Sequence, residues 1–330
     1  MSDLSNPPSG PRELSVAVLM GGDSAEAEVS RASASEVGAG LEAKGHQVSY
    51  VELDSSVTSA LLTLTPEVVF PALHGPPGED GTVQGFLEML NLPYVGSDVH
   101  GSSLAMDKGL SKTVFRLADL PVADDLLIHP GTDPAAAEAS VHKALGERVV
   151  IKPLRQGSAI GITLIPNGGE LRTAISDALA FGQGVLVEQY VLGKEITVGV
   201  LDLHGSDAYA LPVTEIRTAP GEWYDYTNRY TPGKSEHVIP APFEDAFNTR
   251  LQEIALIAHQ CLGMRDLSRA DFIVTDDSQI VLLEVNSLPG MTPTSLYPDG
   301  AAAIGMDFAT LVDALVKSAF DRASQKVNPG

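Results

Sequence analysis

Apolar and polar positions along the chain alternate between short strand-like runs and longer stretches of helical period, the pattern of an α/β protein. Ser15 to Met20 (SVAVLM) is a compact β-branched run; Gly21-Gly22 follows as a turn, then a helical stretch with Val29, Val37 and Leu41 on one face, closed by Gly45. Asp23 with Glu26 three residues later has the form of a capping box, which predicts a helix start near Ser24. Gln47 to Leu53 and Val68 to Leu73 read as further strands and complete a first, Rossmann-like lobe over residues 13–97. A second lobe, 98–184, is expected to hold one helix over Leu104 to Ala118, a helix over Ala135 to Leu145, and strands at Val149 to Pro153 and Gly161 to Ile165. The third, 185–330, is expected to open with a strand at Val185 (VLVEQY) and continue through KEITVGVLDL. A long polar and aromatic loop from Arg217 to His237 follows, then helices over Phe243 to Leu262 and Phe308 to Phe320. Residues 1–12 read as a disordered tail.

The sharpest local pattern lies near the C-terminus. Arg269 to Thr275 (RADFIVT) and Ile280 to Asn286 (IVLLEVN) flank the turn-forming Asp276, Asp277, Ser278 and Gln279, so they predict a β-hairpin. With the turn centred between Asp277 and Ser278, Asp271 falls opposite Glu284 and Arg269 opposite Asn286, all on one face. Ala270, Phe272, Val274, Val281, Leu283 and Val285 then form the core-facing side. Facing carboxylates repel and call for a positive charge between them. An all-oxygen donor set of two carboxylates and an amide suits a hard cation such as Mg²⁺ shared with phosphates; the alternative is a salt bridge from Arg269.

Charge and cysteine content narrow the setting. The 330-residue chain carries 21 Lys and Arg against 43 Asp and Glu, a net charge of −22 with no basic stripe, which argues against nucleic acid or an anionic membrane as partner. Any polyanionic substrate must therefore be held by a few placed cations and a metal. A single cysteine, Cys261, rules out an internal disulfide framework and a thiolate zinc site. The start lacks the apolar stretch of a signal peptide and no run approaches a membrane span, so a cytoplasmic protein is expected.

Within that acidic background two cations stand in suitable loops. VVIKPLRQGSAIG puts Lys152 at a strand end and Gly157, Ser158 and Gly161 in the turn after it, where backbone N–H groups and an ammonium can meet phosphate oxygens. It lacks the spacing of a P-loop. Lys108, in AMDKGLSK, can reach the same place; for either lysine the plainer reading is a surface residue. Gly21-Gly22 lacks the dinucleotide-binding spacing, which excludes a nicotinamide enzyme of that type. LHGPPGEDG, with His74, Glu79 and Asp80 among glycines, suggests a loop facing a ligand, although a histidine beside glycine is more often structural.

Taken in order, GGDSAEAEVS, LHGPPGEDGTVQGFLE, PYVGS, AMDK, KPLRQGSAIG, EITVGVL, WYDYTNRYTPG, RADF and LLEVNSLPGMTPTSLYP resemble the D-alanine:D-alanine ligases of the ATP-grasp superfamily, from about Val16 to Phe320. The resemblance implies three lobes, ATP as co-substrate, two Mg²⁺ (with Mn²⁺ as a substitute), D-alanine as substrate, and a homodimer. It assigns Lys108, Lys152, Glu188, Glu195 and Arg229 to ATP, and Asp271, Glu284 and Asn286 to metal. Glu26 would hold the first ammonium, with Val29 and His74 also on the substrate. Arg269 and the Gly290 N–H would stabilise an oxyanion, and Ser295 and Leu296 would receive the second carboxylate. Glu26, Ser158 and Tyr230 would form a hydrogen-bonded triad joining the lobes.

Four positions depart from the family pattern. Ala159 stands where a second serine is usual, Gln156 where an acid is common, Ala27 where a basic residue follows Glu26, and Arg229 where a lysine precedes the triad tyrosine. Relatives that make D-alanyl-D-lactate or D-alanyl-D-serine tend to replace that tyrosine, so Tyr230 favours D-alanine as acceptor. The competing readings are an ATP-grasp ligase for other amino or hydroxy acids and a nucleotide-binding homologue without ligase activity.

Overall fold

A computed structural model describes residues 12–231 and 233–327. The expected tail over 1–12 lies outside these residues apart from Arg12, whose guanidinium sits 3.9 Å from the centre of the Phe320 ring.

The first lobe runs β1 (Ser15–Met20), α1 (Ala27–Ala43), β2 (Gln47–Glu52), α2 (Val57–Leu64), β3 (Val68–Pro71) and α3 (Thr82–Met89), with parallel strands in the order β2-β1-β3. Val16, Ala17, Val18 and Leu19 are all buried, because both faces of β1 are covered; hence the unbroken apolar run rather than alternation. The capping box does not form. α1 starts at Ala27, and Glu26 makes no side-chain cap; its carboxylate is engaged elsewhere, by Ser158.

The helix expected over Leu104 to Ala118 is two helices, α4 (Val99–Met106) and α5 (Lys108–Leu117). Asp107 breaks it: the residue is extended and its side chain accepts from the Leu110 N–H at 3.0 Å, capping α5 so that Lys108 opens it. Both helices pack on the third lobe's sheet, where Ala105 and Phe115 join Leu251, Ala255 and Leu282. Then come β4 (Asp125–Ile128), α6 (Pro134–Leu145), β5 (Val149–Pro153), β6 (Thr163–Ile165), α7 (Leu171–Leu179) and β7 (Val185–Gln189). Their antiparallel sheet has the order β4-β7-β5-β6. A lobe boundary between 184 and 185 would cut this sheet. β7 belongs to the second lobe because Val185 and Val187 share a core with Ile128, Val149 and Ile151.

The remaining elements are β8 (Lys194–Asp202), β9 (Tyr209–Ala210), β10 (Thr214–Thr218), α8 (Tyr226–Tyr230), β11 (Ser235–Val238), α9 (Asp245–Cys261), β12 (Asp266–Val274), β13 (Ile280–Asn286), α10 (Leu296–Ala303) and α11 (Phe308–Val327). The sheet runs β11-β10-β8-β12-β13, with β9 on β8. The stretch from Arg217 to His237 is thus not a bare loop. It carries α8, started by Asp225 accepting from the Asn228 N–H at 2.9 Å, and it enters β11. α11 crosses back to the first lobe, where Leu311, Val312, Leu315 and Val316 bury against Val16, Val18 and Phe70.

In the β12–β13 hairpin Asp271 pairs with Glu284 and Arg269 with Asn286, as the turn predicts. Beyond Asp271 the register shifts by one residue and Phe272 pairs with Leu282. The bulge reverses the alternation of β13, so Ile280 and Leu282 face the core and the expected Val281 and Leu283 are only half-buried. Strict alternation carries no information about an inserted residue.

Candidate active site

Three separate segments meet at one hydrogen-bonded chain. The Ser158 hydroxyl donates to Glu26 Oε1 and lies 2.7 Å from the Tyr230 hydroxyl, which links the start of α1, the turn after β5 and the end of α8. Burial raises the Glu26 carboxyl above its ordinary value, partly offset by the Ser158 hydrogen bond and the Arg229 charge. Burial, and next Glu26, push the Tyr230 phenol up to about 12, so it remains a donor at neutral pH. Ser158 and Ala159 both have positive φ, 45° and 60°, a left-handed turn that aims the serine at Glu26. Val29 stands half-buried on the first turn of α1 after Glu26.

His74, at the end of the strand-like run through β3, is buried with Nε2 3.0 Å from the Ser33 hydroxyl. Desolvation, then the nearby Arg269 charge, lower it to about 4, which keeps the ring neutral at neutral pH. The same loop carries Glu79, noticed in the sequence but given no role there. Its Oε2 accepts from the Gly75 N–H at 2.6 Å, and burial together with Glu26 raises it to about 8.

On the hairpin face Arg269 reaches along its own strand to Asp271, with Nε to Oδ1 at 2.9 Å and a terminal nitrogen to Oδ2 at 2.8 Å. Thr197 Oγ1 donates to Asp271 Oδ1 at 2.6 Å, and Asn286 Nδ2 to Oδ2 at 3.0 Å. Burial works to raise Asp271, but Arg269 outweighs it and the carboxyl lies below its ordinary value. The alternative of an Arg269 salt bridge is therefore present in the structure alongside the acidic pair. Glu284 has the Lys108 ammonium 3.6 Å away. Thr197 was missed by sequence reading, since only the β8–β12 register sets it opposite Asp271.

No group of three or more His, Cys, Asp and Glu able to hold a metal occurs among the described residues. Two carboxylates and one amide are too few to cage a cation, and they suit one that completes its shell with phosphate and water. The donor set thus fits Mg²⁺ shared with a nucleotide. Glu79, Lys108, Gln156, Gly157, Glu284 and Asn286 line a cavity of ≈ 30 Å³ on this side, and Lys108 Nζ donates to the Gln156 carbonyl at 2.6 Å.

Lys152, near the end of β5, pairs with Glu188 on the adjacent β7, and Lys112 on α5 pairs with the other oxygen of the same carboxylate. Burial alone would raise Glu188; the two lysines hold it down to about 2. Glu195 accepts from the Tyr224 N–H at 2.9 Å and is raised by burial. Arg229 Nε donates to the Tyr224 carbonyl at 3.0 Å, with its guanidinium 4.7 Å from the Tyr224 ring centre.

A second cavity of ≈ 40 Å³ is lined by Tyr224, Arg229, Tyr230, Arg269, Gly290 and Ser295, among others. Ser295 Oγ accepts from the Thr292 N–H at 3.0 Å. A Cβ at Gly290 would come within 2.8 Å of that oxygen, so a side chain there would displace the serine hydroxyl from its place. Leu296 opens α10 and packs with Ile216 and Tyr224. The hairpin face, the triad and the Ser295 loop thus converge, with Lys152, Glu188 and Glu195 on the strands beside them.

Comparison with known proteins gives one consistent result. Residues 114–317 match the family described as D-ala D-ala ligase C-terminus and residues 58–97 the D-ala D-ala ligase N-terminus. The chain is 42% identical over 305 residues to the D-alanine--D-alanine ligase of Halalkalibacterium halodurans, covering 92% of this chain and 98% of that one. With that of Moorella thermoacetica it shares 43% over 312 residues, 93% of this chain and 100% of the other. Among solved structures, the D-alanine--D-alanine ligase from Bacillus anthracis complexed with ATP superposes with a TM-score of 0.80 at 28% identity, covering 95% of this chain and 99% of that chain. The VanG D-Ala:D-Ser ligase from Enterococcus faecalis gives 0.78 at 30%, covering 93% and 100%.

Proposed function

The chain belongs to the D-alanine:D-alanine ligase family, and from that premise we propose that it uses ATP to join two D-alanines into D-alanyl-D-alanine for peptidoglycan precursor synthesis. The observation that carries this reading is the meeting of the Glu26–Ser158–Tyr230 chain with the Arg269, Asp271, Glu284 and Asn286 face. One end of the site is acidic and buried, matched to an ammonium; the other gathers phosphate-binding cations around carboxylates.

In this reading Glu26 takes the ammonium of the first D-alanine, with Val29 and His74 alongside. The first carboxylate attacks the γ-phosphate of ATP to give an acyl phosphate with ADP as the leaving group, and the amine of the second D-alanine then displaces phosphate from the acyl carbon, losing a proton as the amide forms. Lys108, Lys152 and Arg229 neutralise the phosphate charge, while Glu188 and Glu195 bind the rest of the nucleotide. Asp271, Glu284 and Asn286 would hold two Mg²⁺, or Mn²⁺ in its place, which supply charge neutralisation and orientation of the phosphates. Arg269 and the Gly290 N–H stabilise the oxyanion at the acyl carbon. Ser295 and the N-terminal turn at Leu296 receive the second carboxylate, and Tyr230 orients the acceptor through Ser158. The working form would be a cytoplasmic homodimer, the dimer resting on the family resemblance alone.

The test is direct. Purified protein given Mg²⁺, ATP and D-alanine is expected to release phosphate in step with D-alanyl-D-alanine. No dipeptide from D-alanine, with robust product from another acceptor, would overturn the substrate assignment; nucleotide binding with no product from any acceptor would leave a binding protein.

A further inference from the structure

Lys112 has no part in the roles above, yet its side chain is 1% exposed and its ammonium is spent on Glu188. It lies one turn along α5 from Lys108, on the same face of the helix. Glu188 and Lys152 lie diagonally on one face of the β5–β7 pair, where Lys152 is opposite Leu186 and Glu188 opposite Val150. One buried carboxylate therefore bridges two ammoniums: Lys112 on Oε1, which solvent does not reach, and Lys152 on Oε2, whose side chain is 9% exposed. The cluster of three groups carries one excess positive charge in a nearly dry place, one ammonium more than is needed to neutralise the carboxylate.

We propose that Lys112 is a positioning residue for the nucleotide: it is the resident counter-ion of Glu188 and thereby frees Lys152 to leave that carboxylate for a phosphate. The excess positive charge in the cluster is then the charge that meets the incoming polyanion. When Lys152 turns to the phosphate, Glu188 keeps Lys112, and no buried carboxylate is left without a partner. Without Lys112, Glu188 and Lys152 form a closed neutral pair, and the phosphate must compete with a buried carboxylate for its lysine. The depressed titration of Glu188 under the two lysines agrees with a carboxylate that remains charged throughout. Lys112 itself, being enclosed, never touches the nucleotide.

This inference rests on the nucleotide-site reading given above, and the experiment separates the two. Calorimetric titration with a non-hydrolysable ATP analogue and Mg²⁺ needs no dipeptide formation. Lys112→Met is expected to weaken analogue binding about tenfold and to raise the KM for ATP to match, with kcat and the KM for D-alanine changed less than about threefold. Adenosine, which carries no phosphate for Lys152 to meet, is expected to bind Lys112→Met within about threefold of wild type, and Lys112→Arg, which keeps the counter-ion of Glu188, is expected to bind the analogue within about threefold. A purely structural lysine predicts the opposite, since a disturbed site would lose adenosine and the analogue alike. Unchanged analogue binding in Lys112→Met overturns the proposal. So does an equal loss of adenosine binding in Lys112→Met, or a tenfold loss of analogue binding in folded Lys112→Arg, and this last readout holds even where Lys112→Met does not fold. Failure of the wild type to bind the analogue would instead sink the nucleotide-site reading.

Discussion

The hairpin face and the Glu26–Ser158–Tyr230 chain are both partly buried polar clusters, but they are put together in opposite ways. Arg269, Asp271, Glu284 and Asn286 come from two strands joined by one turn, and their geometry follows from local register. The triad joins residues 132 and 72 positions apart in sequence, brought together only when the lobes are in place. A site built on a hairpin is rigid and fit for charge chemistry that needs fixed groups. A chain spanning several segments depends on how those segments sit, and so is suited to register whether a substrate is seated. The difference implies that damage to the hairpin abolishes chemistry, whereas damage to the triad degrades it.

The largest effect should therefore come from the hairpin. Glu284→Gln removes a charge from the metal face while leaving its size, and is expected to lower kcat about a thousandfold, as loss of a preorganised electrostatic group does. Chelation of divalent cations should mimic it in the wild type. Steady-state phosphate release measures both, and a variant with more than about a tenth of wild-type activity would break the contrast.

His74 offers the next largest effect, read as stability. Folding lowers it from 6.5 to about 4, by burial first and Arg269 second. Between those values the unfolded chain takes up a proton that the folded chain refuses, so stability falls as pH drops from 6.5 towards 4, and nothing is lost above that window. The full term is on the order of 3 kcal/mol. Urea unfolding over that range should show a shallower acid slope in His74→Gln than in wild type; equal slopes would mean that the buried ring does not resist protonation.

Tyr230→Phe sharpens the comparison from the triad side. It removes one neutral hydrogen bond to Ser158 and leaves the ring, so kcat/KM for the second D-alanine should fall about tenfold, with the KM for ATP unchanged. A loss as great as that of Glu284→Gln would show the triad to be chemical machinery of the same rank.

The same contrast decides what could be read without coordinates. The hairpin, its pairing and its polar face follow from a four-residue turn and an alternating pattern, because those are nearest-neighbour properties of the chain. Its bulge does not, so strict alternation puts Val281 and Leu283 on the wrong face. The triad was reachable only through resemblance, since nothing local in DSAEAE, QGSAI or NRYTP says that they touch. The capping-box pattern even points Glu26 back to its own helix; a half-buried serine from another lobe outcompetes that local bond. Likewise Asp107 splits a continuous helical pattern, and β7 joins a sheet that its place in the order does not suggest.

The smallest effect concerns the turn that presents Ser158. Ala159 holds φ at 60°, where a Cβ costs roughly 1–2 kcal/mol, while glycine there adds roughly 0.5–1 kcal/mol of chain entropy to be lost on folding. Ala159→Gly should therefore stabilise the protein by only about 0.5 kcal/mol, a thermal shift of a degree or two at most for a chain this long. It adds no phosphate donor. Ala159→Ser keeps the strain and adds the hydroxyl usual in the family, so it should lower the KM for ATP a few-fold, about the worth of one hydrogen bond, without raising the melting temperature. If glycine instead improves ATP binding and serine does not, the turn's limit is its backbone and not its missing hydroxyl. The loop that completes the triad would then be restrained by strain, in contrast to the hairpin, whose groups are held by strand pairing and side-chain bonds.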